Sequence, residues 1–202
     1  MSKLMLYIHG QGGNAEESQH YKKLFPAYKV AGLAYKHFTP WETGPEIHRA
    51  VASQRADYDD IVLVANSIGA FFSMHGDLNG LVQRAYFISP IVDMKKLICD
   101  MMTFAGVTEK ELQKRKIIPT QVGVDLSWEY LCYVRDKPIN WQVPTKILYG
   151  GKDKLTSYET IKKFAAVHQA ELTVMEEGEH WFHTKEQMDF LDKWLKMGMR
   201  KR

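Results

Sequence analysis

Short apolar runs alternate with helical patterns along most of this chain, and each run has the length of a β-strand. Strands that alternate with helices predict a parallel sheet, because parallel neighbours need a long crossover connection that is usually a helix. We therefore expect an α/β fold with a mostly parallel, six-stranded sheet and helices on both faces. The predicted strands are residues 4–8, residues 28–34, a run that begins at 61, residues 84–89, a run that begins at 146, and residues 172–175. The predicted helices lie at about 15–25, about 45–55, from about 68, about 157–167 and about 184–196.

Residues 91–141 interrupt this alternation. Their apolar positions have helical spacing, and no convincing strand lies among them. We expect a small helical cap inserted between two strands of the sheet, with a second helix at about 127–135. Its first helix is expected to carry Leu97, Ile98, Met101, Met102 and Phe104. The 202 residues suffice for one well-filled core and are few for two, so a single domain over residues 1–202 is predicted.

Charge and cysteine content narrow the function classes. The chain has 27 Lys and Arg residues against 24 Asp and Glu residues, interspersed along the sequence, which does not favour a nucleic acid partner. Cys99 and Cys132 have no metal-ligand spacing and are expected to be reduced thiols. No apolar run approaches the roughly 20 residues of a membrane span, and no leader pattern precedes the first strand. A cytoplasmic protein without a membrane span is therefore expected.

The third predicted strand ends in a serine at the start of a predicted helix, in the sequence Ala65-Asn66-Ser67-Ile68-Gly69. A nucleophilic serine needs its hydroxyl raised on a tight turn of this kind, where small neighbours leave room for the backbone and the helix N-terminus favours developing negative charge. The alternative is a serine that only caps the helix. The G-x-S-x-G pattern of such turns has glycine where this chain has Ala65, so the match is incomplete.

The first predicted strand runs into a glycine-rich loop, His9-Gly10-Gln11-Gly12-Gly13-Asn14. Backbone N–H groups exposed by such a loop can receive the oxyanion of a tetrahedral intermediate. The expected donors are the amide of Ile68, directly after the candidate nucleophile, and the amide of Gln11. An ordinary turn that uses glycine for positive φ is the alternative. His9 is expected to brace this loop rather than to transfer protons.

An aspartate and a histidine follow the last two predicted strands. Asp153 ends the turn Gly150-Gly151-Lys152-Asp153, and His180 lies in the loop after 172–175. The chain order of serine, aspartate and histidine, each just after a strand, fits a hydroxyl whose proton is taken by an imidazole that a carboxylate orients. Two competitors remain. Asp93 also follows a strand, and His183 lies three residues after His180, where the last helix is expected to begin.

Together these four segments resemble the α/β-hydrolase superfamily, and in particular its compact single-domain serine hydrolases, from residue 4 to about 195. The resemblance implies that Ser67 is the nucleophile, Asp153 the orienting acid and His180 the general base. It also implies an oxyanion hole made by the amides of Gln11 and Ile68. Compared with the eight-stranded sheet of the superfamily, the first two strands are missing here.

The expected activity is hydrolysis of a small ester, thioester or related acyl substrate through an acyl-enzyme, with no metal and no organic cofactor. In this fold an insertion before the acid-bearing strand sits over the nucleophile. Met101, Met102, Trp128 and Tyr130 of the cap could then line the acyl pocket, or they could only pack the cap onto the core. Two other functions stay open, a small-molecule binding module on the same scaffold and a carbon–carbon bond hydrolase. Members of the superfamily with the same triad act on unrelated substrates, so the sequence predicts a chemistry and not a substrate.

Overall fold

The computed structural model describes residues 2–120 and 124–200, and the chain divides into two compact units. The first unit consists of the residues up to Val92 and from Asn140 onward, and the second of Asp93–Ile139. The strands are β1 (Lys3–Ile8), β2 (Lys29–Leu33), β3 (Asp60–Asn66), β4 (Arg84–Ile88), β5 (Ile117–Ile118), β6 (Leu126–Ser127), β7 (Thr145–Gly150) and β8 (Glu171–Met175). The helices are a 3-10 helix (Ala15–Tyr21), α1 (Pro40–Gln54), α2 (Ile68–Met74), α3 (Met94–Phe104), α4 (Glu109–Arg115), α5 (Trp128–Asp136), α6 (Tyr158–Val167) and α7 (Lys185–Arg200).

The first unit is built on a six-stranded sheet in the order β2-β1-β3-β4-β7-β8, and every neighbouring pair in it is parallel. This confirms the predicted parallel α/β sheet. The chain runs from β1 to β2 on one side and then returns to β3 on the other side of β1. Such a reversal of direction leaves a crevice at the carboxyl ends of the two central strands, which is where ligands bind in open α/β sheets. The loops after β1 and β3 both lie at this edge.

Both faces of the sheet are buried, as a parallel sheet requires. On one face, alternate strand residues such as Tyr7, Val64 and Tyr86 share a core with the 3-10 helix and α7. Helix α7 reaches this core through Leu191, Trp194 and Leu195, at the spacing of one helix face. The residues that alternate with these in the strands are buried as well. Among the other helices, α2 contacts β1 and β3, and α1 contacts α2. Helix α6 contacts β7 and β8.

Two helices differ from their predictions for local reasons. Helix α1 begins at Pro40 rather than near Pro45, with Thr39 at the N-cap. Both prolines suit a first helical turn, where the missing N–H has no partner to lose, so the pattern could not decide between them. The helix predicted at about 15–25 is a 3-10 helix that ends at Tyr21. Pro26 disfavours helical backbone at Phe25, the last residue of the predicted range.

Over its described residues, 93–120 and 124–139, the second unit holds three helices and a pair of short antiparallel strands. Helix α3 contacts α5 and β6, and β5 pairs with β6. The sequence pattern predicted helices in this interval and no strand, because strands of two residues are too short to leave a periodic signal. Of the four predicted pocket residues, Met102 is buried, whereas Met101, Trp128 and Tyr130 are half-buried. Within the residues described, no helix has both the length and the apolar composition needed to cross a bilayer.

Candidate active site

Ser67 occupies a sharp turn between β3 and α2. Its φ of 52° and ψ of −120° lie in a region that side chains rarely adopt. Such a backbone conformation costs on the order of 1–3 kcal/mol and persists only where its surroundings enforce it. Here the Ser67 N–H donates to the carbonyl of Ile88 at 2.9 Å, and the N–H of Ile91 donates to the Ser67 carbonyl at 3.2 Å. The turn therefore holds Ser67 from both sides.

The side chain of Ser67 does not cap helix α2, although the residue sits at the N-cap position. Its Oγ instead lies 2.8 Å from Nε2 of His180. The alternative interpretation, in which the serine side chain only caps the helix, is therefore wrong.

Close packing at the end of β1 explains the small residues around Ser67. A Cβ added to Gly69 would lie 2.4 Å from the carbonyl oxygen of His9, closer than any real contact allows. Ala65 is fully buried in β3 between its partners Ile8 and Phe87. The turn thus needs glycine two residues after Ser67, and it accommodates one methyl group two residues before it.

Asp153 and His180 are brought together by hydrogen bonds between the loops that follow β7 and β8. The N–H of Gly151 donates to the Met175 carbonyl, and the N–H of Lys152 donates to the Gly178 carbonyl, each at 2.8 Å. In this arrangement Oδ2 of Asp153 lies 2.7 Å from Nδ1 of His180. Ser67, His180 and Asp153 thus form one continuous chain of hydrogen bonds across three strands.

The Asp153 carboxylate is buried and fully hydrogen-bonded. Its side chain is 0% exposed, against 19% for that of His180. While Oδ2 faces the imidazole, Oδ1 accepts the backbone N–H groups of Leu155 at 2.7 Å and Thr156 at 3.2 Å. A buried carboxylate needs such partners, because desolvating an unpaired charge costs several kcal/mol. Asp153 is therefore a built-in part of this site and not a solvated turn residue.

The hydrogen-bond chain sets the tautomer of His180. A carboxylate can only accept, so Nδ1 must carry the proton that faces Asp153. In the neutral imidazole Nε2 then has its lone pair free for the Ser67 hydroxyl, which donates to it. This is the arrangement in which an imidazole can take a proton from a serine.

Neither competing residue joins this chain of hydrogen bonds. Asp93 is the N-cap of α3, where its carboxylate accepts the N–H of Lys96 at 2.9 Å. Nδ1 of His183 donates to the Trp181 carbonyl at 2.7 Å, just ahead of α7. A capping role explains Asp93 and a loop-bracing role explains His183, so the structure brings together Ser67, Asp153 and His180 instead.

The glycine-rich loop after β1 passes directly beside Ser67, since a Cβ added to Gly10 would lie 3.2 Å from the Ser67 Cβ. The N–H of Gly13 donates to the Gly10 carbonyl at 3.2 Å and closes a turn. Gln11 is the second residue of that turn, so its own N–H takes no part in the closing bond. The amide of Ile68 likewise begins a helix, where the first N–H groups have no intrahelical acceptor.

The base of this loop is held by His9 and Tyr35. The buried His9 ring stacks on Tyr35 with centroids 4.1 Å apart, and its Nδ1 donates to the Gly10 carbonyl at 2.9 Å. The Tyr35 hydroxyl donates to the His9 carbonyl at 2.8 Å. Burial raises the pKa of this hydroxyl, so it remains a donor.

A second brace was missed by sequence reasoning. The hydroxyl of buried Tyr7 donates to Oε2 of Glu17 at 2.6 Å, and burial raises the pKa of Tyr7 well above its ordinary value. The same carboxylate lies against the loop, since a Cβ on Gly13 would be 2.7 Å from its Oε1. Tyr7 reads as an ordinary core residue of β1 and Glu17 as a polar helix residue, so no pattern in the sequence links them.

Comparison with known proteins shows the fold of the chain. Neither a protein-family model nor a curated protein matches the sequence. Among solved structures, Est1E from Butyrivibrio proteoclasticus is similar at a TM-score of 0.76 and 18% identity, over 98% of this chain and 87% of that one. Mouse alpha/beta hydrolase domain-containing protein 10 is similar at a TM-score of 0.73 and 14% identity, over 98% and 89%. A thioesterase domain from the curacin biosynthetic pathway is similar at a TM-score of 0.59 and 17% identity, over 96% and 91%.

Backbone strain at Ser67 predicts an unusual order of stability between two variants. Glycine adopts positive φ freely, so Ser67→Gly should have a free energy of unfolding about 1 kcal/mol higher than Ser67→Ala in urea denaturation. Ser73, buried within α2, is the matched control. At this position Ser73→Gly should have a free energy of unfolding about 0.5–1 kcal/mol lower than Ser73→Ala. The same order at both positions would show that the turn at Ser67 is unstrained.

Proposed function

We propose that this chain, which has the α/β-hydrolase fold, is a serine hydrolase that cleaves a small ester, thioester or related acyl substrate through an acyl-enzyme. The single observation that carries the proposal is the hydrogen-bond chain from Ser67 Oγ through His180 to the buried Asp153 carboxylate. A polar chain of this kind couples the hydroxyl of a weak nucleophile to a base that can accept its proton.

In the proposed first half-reaction, the Ser67 Oγ attacks the carbonyl carbon of the substrate while its proton passes to Nε2 of His180. The tetrahedral intermediate then collapses, the bond to the leaving group breaks, and Nε2 returns the proton to the leaving oxygen or sulfur. In the second half, His180 takes a proton from water, the hydroxide attacks the acyl carbon, and the acid product leaves as Ser67 regains its proton.

Asp153 is proposed to act through His180. Its carboxylate holds the proton on Nδ1 and stabilises the imidazolium that forms when Nε2 is protonated. The two backbone N–H groups on Oδ1 keep the carboxylate in place, so it need not rearrange during the reaction.

The amides of Gln11 and Ile68 are the proposed oxyanion donors. In support, the loop that carries Gln11 runs beside Ser67, and both amides are left outside the hydrogen bonds of their own turn or helix. Donors held in place before the reaction stabilise the developing negative charge without reorganising.

The apolar residues expected from the sequence to line an acyl pocket, Met101, Met102, Trp128 and Tyr130, all belong to the second unit. Three of these side chains are only half-buried, so they keep surface with which a ligand could make contact. Methionine and aromatic side chains suit apolar groups of irregular shape. An acyl substrate is also supported by the similar solved structures, which include a thioesterase domain and Est1E with ferulic acid bound.

Replacing each of the two candidate acids separately by asparagine tests the proposal. Turnover of p-nitrophenyl acetate should fall by roughly 10⁴-fold in kcat for Asp153→Asn, because the amide would favour the wrong imidazole tautomer. Asp93→Asn is the matched control and should stay within a fewfold of wild type, since asparagine also caps helices. The reverse ranking would move the acid to Asp93. A folded wild type without any ester turnover would favour the two alternatives, a small-molecule binding module or a carbon–carbon bond hydrolase.

The proposed oxyanion donor at Gln11 is its backbone amide, which a pair of substitutions separates from its side chain. Gln11→Ala keeps the N–H and should change kcat little. Gln11→Pro deletes the N–H and should lower kcat by about 10²- to 10³-fold, the usual loss for one donor. Equal and severe losses in both variants would contradict a backbone donor and point to the side chain.

A further inference from the structure

The residue directly after His180 is an exposed tryptophan. The side chain of Trp181 is 69% exposed, although tryptophan is usually buried over most of its surface. Single exposed apolar residues are common on proteins, so it is the position beside His180 that distinguishes Trp181. An aromatic ring also offers a large, rigid contact with few rotatable bonds.

The Trp181 ring has a stacking partner two residues along the chain. It stacks on the imidazole of His183, with ring centroids 4.8 Å apart and an angle of 24° between the planes. The imidazole is itself fixed, because its Nδ1 donates to the Trp181 carbonyl and the His183 N–H donates to Oε1 of Gln187, which is 5% exposed. One face of the indole is thus supported by His183, while most of its remaining surface is open.

A second exposed apolar residue lies two positions along the chain from the other member of the Asp153–His180 pair. Leu155 is 51% exposed, and its N–H is one of the two that hold the Asp153 carboxylate. Trp181 is tied to the same pair through its neighbour His180. Each member of the pair thus has an exposed apolar residue within two positions along the chain.

From these contacts we infer that Trp181 binds an aromatic ring in the alcohol part of the ester substrate. The inference rests on the proposed function, in which Nε2 of His180 returns a proton to the leaving oxygen. That oxygen must then lie within hydrogen-bond reach of His180, and the Cα atom of Trp181 is only about 3.8 Å from that of His180. A planar group on the leaving oxygen can stack on the open surface of the indole, as aromatic pairs prefer.

Two acetate esters of similar size test for a planar ring. Benzyl acetate and cyclohexylmethyl acetate have the same acyl group and differ in whether the ring of the alcohol is flat. Both form the same acetyl-enzyme, so their ratio of kcat/KM reports only steps up to release of the alcohol. Wild type should favour benzyl acetate by about tenfold, from stacking and burial of the ring on Trp181.

Variants at position 181 assign this preference to the indole. Trp181→Ala should lower the benzyl to cyclohexylmethyl ratio to about one, while Trp181→Phe keeps an aromatic ring and should retain most of it. Met197→Ala is the matched control, since Met197 is 65% exposed on α7 and is not bonded to the His180 loop. It should leave the ratio unchanged.

Ethyl acetate separates failure of this inference from failure of the proposed function. It has no ring to stack, so its hydrolysis by wild type reports the proposed function without any contribution from the indole. If wild type hydrolyses all three esters and the ratio is the same in wild type and Trp181→Ala, the inference is wrong while the proposed function stands. If wild type hydrolyses none of them, the ester part of the proposed function fails, and this inference fails with it.

Discussion

The buried carboxylate of Asp153 is the interaction on which the candidate site depends. Its side chain is excluded from solvent and has three hydrogen-bond partners, two backbone N–H groups in its own loop after β7 and one imidazole in the loop after β8. A charge buried in this way is tolerable only while each partner stays in place. The position of His180, and through it the hydrogen bond to Ser67, therefore follows from the satisfaction of one carboxylate.

The sheet topology delivers the other half of the site. Because β1 lies between β2 and β3, the glycine-rich loop and the turn at Ser67 emerge side by side at the carboxyl edge of the sheet. The strained backbone of Ser67 raises its side chain at this edge and away from its own helix. Strain of this kind reduces stability and is typical of functional sites. Here it lies beside an imidazole that is hydrogen-bonded to Ser67, which fits such a site.

The sequence predicted the sheet well and the supports of the site poorly. Six apolar runs predicted six parallel strands, because strands buried on both faces leave long apolar signals. The predicted serine, aspartate and histidine each follow a strand, and they are hydrogen-bonded to one another in the structure. The brace of Tyr7 on Glu17 and the stack of Trp181 on His183 have no such signal. They depend on the meeting of side chains in three dimensions, which no periodic pattern records.

The central claim is that Ser67 is a nucleophile activated by His180. The most direct test is covalent labelling by a fluorophosphonate, followed by mass spectrometry of the intact protein and of its peptides. Attack by the Ser67 Oγ would form a bond to phosphorus and release fluoride, so wild type should gain one adduct, on Ser67. Folded Ser67→Ala should gain none. An adduct on another serine, or a folded wild type that stays unlabelled, would contradict the account.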